Sequence, residues 1–178
     1  MLHPFVEYNN LTYVSLERET GKFEVDGNLF EGIEGYLLGF GSHEFEFKGK
    51  KQKKFDIYLV DNDETYQIQL GFYSWLTLKV MNMLLSLQDF TNPKLLFIAR
   101  KDKNENDNIF IKHKNSFLKW KYPFEELKLK DLEDNLKLKT RNEIIGKWYE
   151  HLLTLKPFVL NELTEESAEI EEIDDNPF

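Results

Sequence analysis

Residues 55–87 read FDIYLVDNDETYQIQLGFYSWLTLKVMNMLLSL, and a change of period inside this stretch decides the fold class. Phe55, Ile57 and Leu59 alternate with Asp56, Tyr58 and Val60, as half-buried strand residues do. Asp61-Asn62-Asp63-Glu64 is a turn, and Tyr66, Ile68, Leu70 and Phe72 then share one face of a second strand. After Ser74, a good N-cap, Leu76, Val80, Met83, Leu84 and Leu87 recur at helical spacing. The helix is expected to stop at Phe90-Thr91-Asn92-Pro93.

Upstream, Gly32 to Phe40 is a strand whose glycines suggest a bulge or sharp bend. Phe45 and Phe47 carry its alternation to a lysine-rich loop, residues 48–54. Thr12 to Arg18 and Lys22 to Val25 flank Glu19-Thr20-Gly21 as a hairpin. Downstream, Leu95 to Ala99, Ile109 to Lys114 and Phe117 to Tyr122 read as strands, with a polar loop from Asp102 to Asn108. A charged connector spans 124–139. Thr140 and Glu143 have capping-box spacing for a last helix. Ile144, Trp148 and Leu152 form one of its stripes, and Ile145, Tyr149 and Leu153 form another.

Three strands, a helix and two strands is the element order of an OB-fold, a five-stranded Greek-key barrel. The expected class is therefore mainly β. Its parts are an N-terminal hairpin extension (1–30), an OB core (31–123), a connector with an amphipathic helix packing on the core (124–157) and a disordered acidic tail (158–178). An SH3-like barrel or a generic α+β sandwich would give a similar string. The two stripes of the last helix suit packing on its own barrel or on a second subunit, so a homo-oligomer is open.

The net charge of −9 argues at first against a nucleic-acid partner. Its distribution does not. Residues 161–178 carry eight acids and no base, which leaves residues 1–160 at −1. A nearly neutral body with clustered lysines can hold a basic groove. The acidic tail has too little apolar content to fold alone. There are no cysteines, so disulfides and thiolate metal sites are excluded. The N-terminus lacks signal-peptide order, and no apolar run reaches the roughly 18 residues of a membrane helix. A cytoplasmic protein is expected, in the bacterial host cytoplasm if a phage encodes it.

The last residues, Asp174-Asp175-Asn176-Pro177-Phe178, resemble the tip of bacterial and phage single-stranded DNA-binding proteins, which end in a few aspartates followed by Pro-Phe. Asn176 stands where the best-known members have an apolar residue. The motif covers only about the last six residues, and the body suggests a divergent phage or mobile-element version. The resemblance implies sequence-independent single-stranded DNA binding in replication, recombination and repair. It also implies that Asp174, Asp175, Pro177 and Phe178 dock on partner proteins of those pathways. The chemistry suits that role: the ring and terminal carboxylate fit an apolar slot with a basic rim, and the acids steer encounter. The competing reading is an ordinary solubilising tail.

Lys48, Lys50, Lys51, Lys53 and Lys54 put five amines in seven residues, suited to a phosphate backbone. As a competing reading they cap a solvated hairpin. Phe110, Lys112 and Lys114, then Lys119, Trp120 and Lys121, interleave rings with amines, as single-strand binding needs. Tyr58, on the face opposite Phe55, Ile57 and Leu59, and Tyr73, out of phase with Phe72, complete the expected set. Phe40, Phe45 and Phe47 are reserves. For any single ring, a place in the core is the simpler assignment.

An enzyme is not expected. His3, His43, His113 and His151 are scattered without metal-ligand spacing, and no phosphate-binding glycine loop precedes a helix. Asp61 to Glu64 opens like a calcium loop but lacks the downstream glycine and glutamate. No cofactor or metal is expected. The rival class is an acidic inhibitor that mimics DNA and occupies a nucleic-acid enzyme; a virion assembly component is a weaker third. Clustered lysines and a Pro-Phe terminus distinguish the binder from the mimic.

Overall fold

The structure is a computed structural model of the chain and describes residues 11–158. It is mainly β, with two α-helices, and its strands form one nine-stranded sheet in the order β3-β2-β1-β6-β5-β4-β7-β8-β9. The strands are β1 (Leu11–Leu16), β2 (Phe23–Val25), β3 (Asn28–Phe30), β4 (Gly32–Phe47), β5 (Lys50–Asp61), β6 (Glu64–Gly71), β7 (Lys94–Lys101), β8 (Asp107–His113) and β9 (Ser116–Phe117). The helices are α1 (Trp75–Leu84) and α2 (Asp134–Leu155). Among the described residues the sheet thus exceeds the five strands expected for the barrel together with the two of its hairpin extension. The N-terminal hairpin forms, and it also joins the main sheet through parallel pairing of β1 with β6.

The three central strands are an antiparallel meander, β4-β5-β6, and β7 and β8 continue from the other edge of β4. β4 is long because its partners change along it. Residues 32–36 pair with β7, residues 36–47 pair with β5, and a bulge falls between Leu37 and Gly39. A bulge bends a strand and lets it serve two differently directed neighbours. The expected glycine-marked irregularity therefore lies at Gly39.

Both helices cover one face, called inner here. Phe55, Ile57, Leu59, Ile68, Leu70, Phe97 and Ile111 pack there with Val80, Met81 and Leu84 of α1 and with Ile145 and Leu152 of α2. The opposite, outer face has only a small separate cluster, Leu38 and Tyr58 with Leu11, Val60 and Phe158.

Ser74 caps α1 as expected, its Oγ accepting from the Thr77 amide at 3.1 Å. The helix ends at Leu84, six residues before Phe90, although Leu87 still reaches the core. The last helix starts at Asp134, six residues earlier than Thr140, with Glu133 at the N-cap and no side-chain cap bond. Thr140 and Glu143 lie inside α2, so their capping-box spacing is coincidental. Residues 135–139 are mostly good helix formers and let the helix run back from the stripe that packs.

The strand expected from Phe117 to Tyr122 is only Ser116–Phe117. Beyond it the backbone is irregular and is pinned to α1. The Asn82 amide donates to the Tyr122 carbonyl at 2.7 Å, and the Asn82 side-chain oxygen accepts from the Tyr122 amide at 2.9 Å. This replaces a ladder partner for that segment.

Candidate nucleic-acid interface

The lysine run is a strand, not a loop. Only Lys48 and Gly49 form the turn, both at positive φ, and Lys50 to Lys54 open β5. Pairing with β4 fixes where each side chain points, because residues directly opposite share a face. Lys50 lies opposite Phe47, Gln52 opposite Phe45 and Lys54 opposite His43. Lys51 lies opposite Glu46 and Lys53 opposite Glu44. Alternation thus sorts the hairpin into two rows. One is aromatic and basic without an acid; the other balances each lysine with a glutamate.

The aromatic row belongs to the outer face, since Gly41 opposite Asp56 and Gly39 opposite Tyr58 continue it. Lys54 Nζ stands 5.6 Å from the Phe45 ring centroid, and Lys48 Nζ stands 5.4 Å from Phe47. Lys53 turns the other way. It sits 4.1 Å above the Phe72 ring and 5.8 Å from Tyr149, on the helix side. Lys53 and Lys51 therefore lie off the outward row, whereas all five lysines were expected to follow one phosphate backbone.

A second basic and aromatic cluster lies on the same outer face, across β4. Phe110 and Lys112 of β8 point outward together, as expected, because Ile109 and Ile111 fill the core. Phe117 of β9 lies opposite Lys112. The Phe110 and Phe117 rings are 6.0 Å apart at 69°. Arg100 lies 4.7 Å from the Phe110 ring, and Lys112 lies 4.8 Å from the Phe117 ring. Cations over rings at these distances hold the aromatic faces in place and keep positive charge beside them. Tyr36 of β4 and Lys94 of β7, 5.6 Å apart, extend the patch. Lys114 sits in the β8–β9 turn at positive φ.

Arg100, Phe117, Tyr36 and Lys94 were missed in the sequence. For Lys94 and Arg100 the signal was the alternation Leu95, Phe97, Ala99 against Lys94, Leu96, Ile98, Arg100, which marks a strand buried on one face only.

The remaining expected residues are dispersed. Lys119, Trp120 and Lys121 lie in the irregular segment after β9. Trp120 is half-exposed and lines a groove of about 420 Å³ with Phe110, Phe117, Leu118 and Lys79, so it borders the second cluster. Lys121 stacks over Tyr122. Tyr73 is exposed, but it sits past β6, edge-on to Phe72, and its carbonyl accepts from Arg141 at 2.9 Å. It lies on the helix side, apart from both clusters. Asp174, Asp175, Pro177 and Phe178 fall outside the described residues.

No match for this chain was found among protein-family models, curated proteins or solved structures.

Tyr58 requires a correction. It points to the outer face, as its phase demanded, yet it is only 3% exposed. Phe158 lies on it with ring centroids 4.1 Å apart. The segment 156–158 crosses the sheet here: the Phe40 amide donates to the Lys156 carbonyl at 3.0 Å, and Phe40 and Pro157 form a parallel bridge. Lys156 Nζ also donates to the Thr91 carbonyl at 2.6 Å. Gly39 makes the crossing feasible. A Cβ at this position would stand 2.8 Å from the Lys156 carbonyl oxygen and 2.8 Å from Phe158 Cβ, and its φ of +153° suits glycine.

Beside Tyr58, Asp56 is fully buried on the outer face, and its Oδ2 receives His43 Nδ1 at 2.6 Å. Burial lifts the Asp56 carboxyl above its ordinary 3.8, and the hydrogen bond to His43 offsets part of that rise. A raised folded-state value means the folded protein holds this proton more tightly than the unfolded chain does. Its contribution is therefore full at low pH and is lost as pH climbs from about 3.8 through the raised value. The thermal midpoint of the native chain, measured relative to Asp56→Asn, is expected to fall across that interval and then level off. A difference that stays flat with pH would contradict this assignment.

Among the described residues, no group of His, Asp and Glu is arranged to hold a metal ion. No helix among them is long and apolar enough to cross a membrane.

Proposed function

We propose that this chain is a sequence-independent single-stranded DNA-binding protein that carries the strand on its outer sheet face. The observation that supports this best is the sorting of charge on the β4–β5 hairpin. From His43 to Phe47 and from Lys50 to Lys54, the outward row holds rings, amines and Gln52, and the acid next along it, Asp56, is buried against His43. A ring stacks on any base and an amine meets any phosphate, so such a row binds without reading sequence. The Phe110, Phe117, Arg100 and Lys112 cluster is a second station for the same strand. A DNA mimic would instead spread acids over this face.

We read β4 to β8, with α1 between β6 and β7, as an OB-type unit, a fold that takes oligonucleotides on the face of its second and third strands. Those strands correspond to β5 and β6. The departure is at closure, where β1 occupies the free edge of β6 in parallel. In this reading the Asp-Asp-Asn-Pro-Phe tip recruits replication, recombination or repair proteins.

The test is quenching of tryptophan fluorescence by dT oligonucleotides at rising salt. Affinity is expected to fall with salt. Lys50→Ala, Lys54→Ala and Lys112→Ala should each flatten the log–log slope by about 0.7, the share of one phosphate left unneutralised. Absence of any salt-dependent binding would end the proposal.

A further inference from the structure

Asp56 is the one acid that is fully buried among the described residues, and it lies on the outer face rather than in the core. Taking a carboxylate out of water is costly unless a cation replaces the water. Its only ion pair among the described residues is with His43, at 2.6 Å, and that ring is a cation only when protonated. Gln67 flanks the same carboxyl but is neutral, and Lys54 acts on it only through space.

The register fixes what His43 can reach. It stands directly opposite Lys54, and cross-strand neighbours on one face have Cβ atoms about 5 Å apart. The His43 ring and Lys54 Nζ flank the same Phe45 ring, 6.1 and 5.6 Å from its centre. Nδ1 is turned to the buried carboxylate, so Nε2, on the far side of the ring, is left for the outward row. The side chain is 30% exposed. An anion seated between Nε2 and Lys54 Nζ can touch both.

We propose that His43 Nε2 and Lys54 Nζ form a phosphate site, and that His43 takes up a proton when a nucleic-acid strand occupies it. This deepens, and rests on, the reading of the outer face as the DNA-binding surface. In the free protein two influences oppose each other at the ring: Asp56 favours its positive form and Lys54 disfavours it. A phosphate between the two cations removes their repulsion and adds a second negative partner. The imidazolium then donates from Nδ1 to Asp56 and from Nε2 to the phosphate. A neutral ring that gives its Nδ1 proton to the carboxylate has only a lone pair at Nε2, which cannot bond a phosphate oxygen. The proton comes from solvent, and affinity therefore rises as pH falls through the range in which imidazoles change charge. Tyr58 on this face and Tyr149 on the helix side also feel Asp56, but burial raises both phenols and they stay neutral in that range. Glu44 and Glu46 belong to the opposite row.

The test is the affinity of the full-length chain for a dT oligonucleotide at about pH 6 and about pH 8.5, at several salt concentrations. His43→Gln is expected to weaken binding about fivefold at the lower pH and by less than about twofold at the higher. Its slope against log salt should be flatter than the native slope by about 0.7 at the lower pH, and the slopes should converge at the higher. A merely structural residue would lower affinity at both pH values and leave the slopes alike, which would overturn the site. Asp56→Asn should lose the same pH dependence. Dependence kept in His43→Gln and lost in Asp56→Asn would assign it to the carboxyl and also overturn the site. Nitrogen NMR of the native ring needs no variant: saturating dT near neutral pH should move the His43 resonances toward imidazolium values, and unmoved resonances would count against proton uptake. Absence of dT binding at every pH would remove the DNA-binding surface as well, whereas binding without these effects removes the site alone.

Discussion

Replacing Phe110 and Phe117 together with alanine is expected to weaken binding of a dT oligonucleotide by about 2 to 6 kcal/mol, a factor between roughly thirty and twenty thousand. This range assigns one stacked base to each ring. Phe117 is 52% exposed and Phe110 only partly buried, so removing them takes little from the core. The effect should appear as a parallel shift: affinity drops at every salt concentration while the slope against log salt is unchanged, because no charge is removed. Removing Lys112 should do the reverse. Titrations of a labelled oligonucleotide with both variants separate stacking from phosphate neutralisation. Affinity within twofold of the native protein would remove β8 and β9 from the binding face.

The second large effect concerns stability. Gly39→Val is expected to destabilise the protein by about 2 to 5 kcal/mol, combining a strained backbone with overpacking against the 156–158 segment. The added Cβ would meet backbone, at Lys156 and Pro157, which cannot rotate away as a side-chain tip can. Denaturant unfolding of Gly39→Val should be compared with the same substitution in a chain ending at Leu155. The penalty should shrink in the shorter chain, where only the positive-φ strain remains. Equal penalties in both would show that the crossing segment does not press on Gly39.

Legibility in the sequence followed the range of the interactions involved. The period change after Phe72 was local, and the meander, α1 and β7–β8 emerged from it. The sorting of the lysine run was also local in principle, since Glu44, Phe45, Glu46 and Phe47 already alternate. It was obscured because a run of five lysines reads as loop before its partner strand is known. β4 was harder still. Its outward residues are even-numbered at Glu34 and Tyr36 and odd-numbered from Gly39 to Phe47, because the bulge inserts one residue. Glycine signalled an irregularity without saying which residue was extra. Tyr58 was assigned the correct face, yet its cover, Phe158, comes from a hundred residues away in the chain. No periodicity around residue 58 reports that packing. The missed start of α2 had a different cause: a threonine three residues before a glutamate occurs as readily inside a helix as at its cap.

β5 begins in Lys50, Lys51, Lys53 and Lys54 and ends at the turn bearing Asp61, Asp63 and Glu64. Twelve residues of extended chain separate these ends by roughly 40 Å. Charge is therefore polarised along this strand, with Glu44 and Glu46 offsetting part of the lysine end. Under the proposed function, that polarity would turn the lysine end toward a polyanion before any specific contact, and added salt should abolish the alignment before it dissolves the bound state.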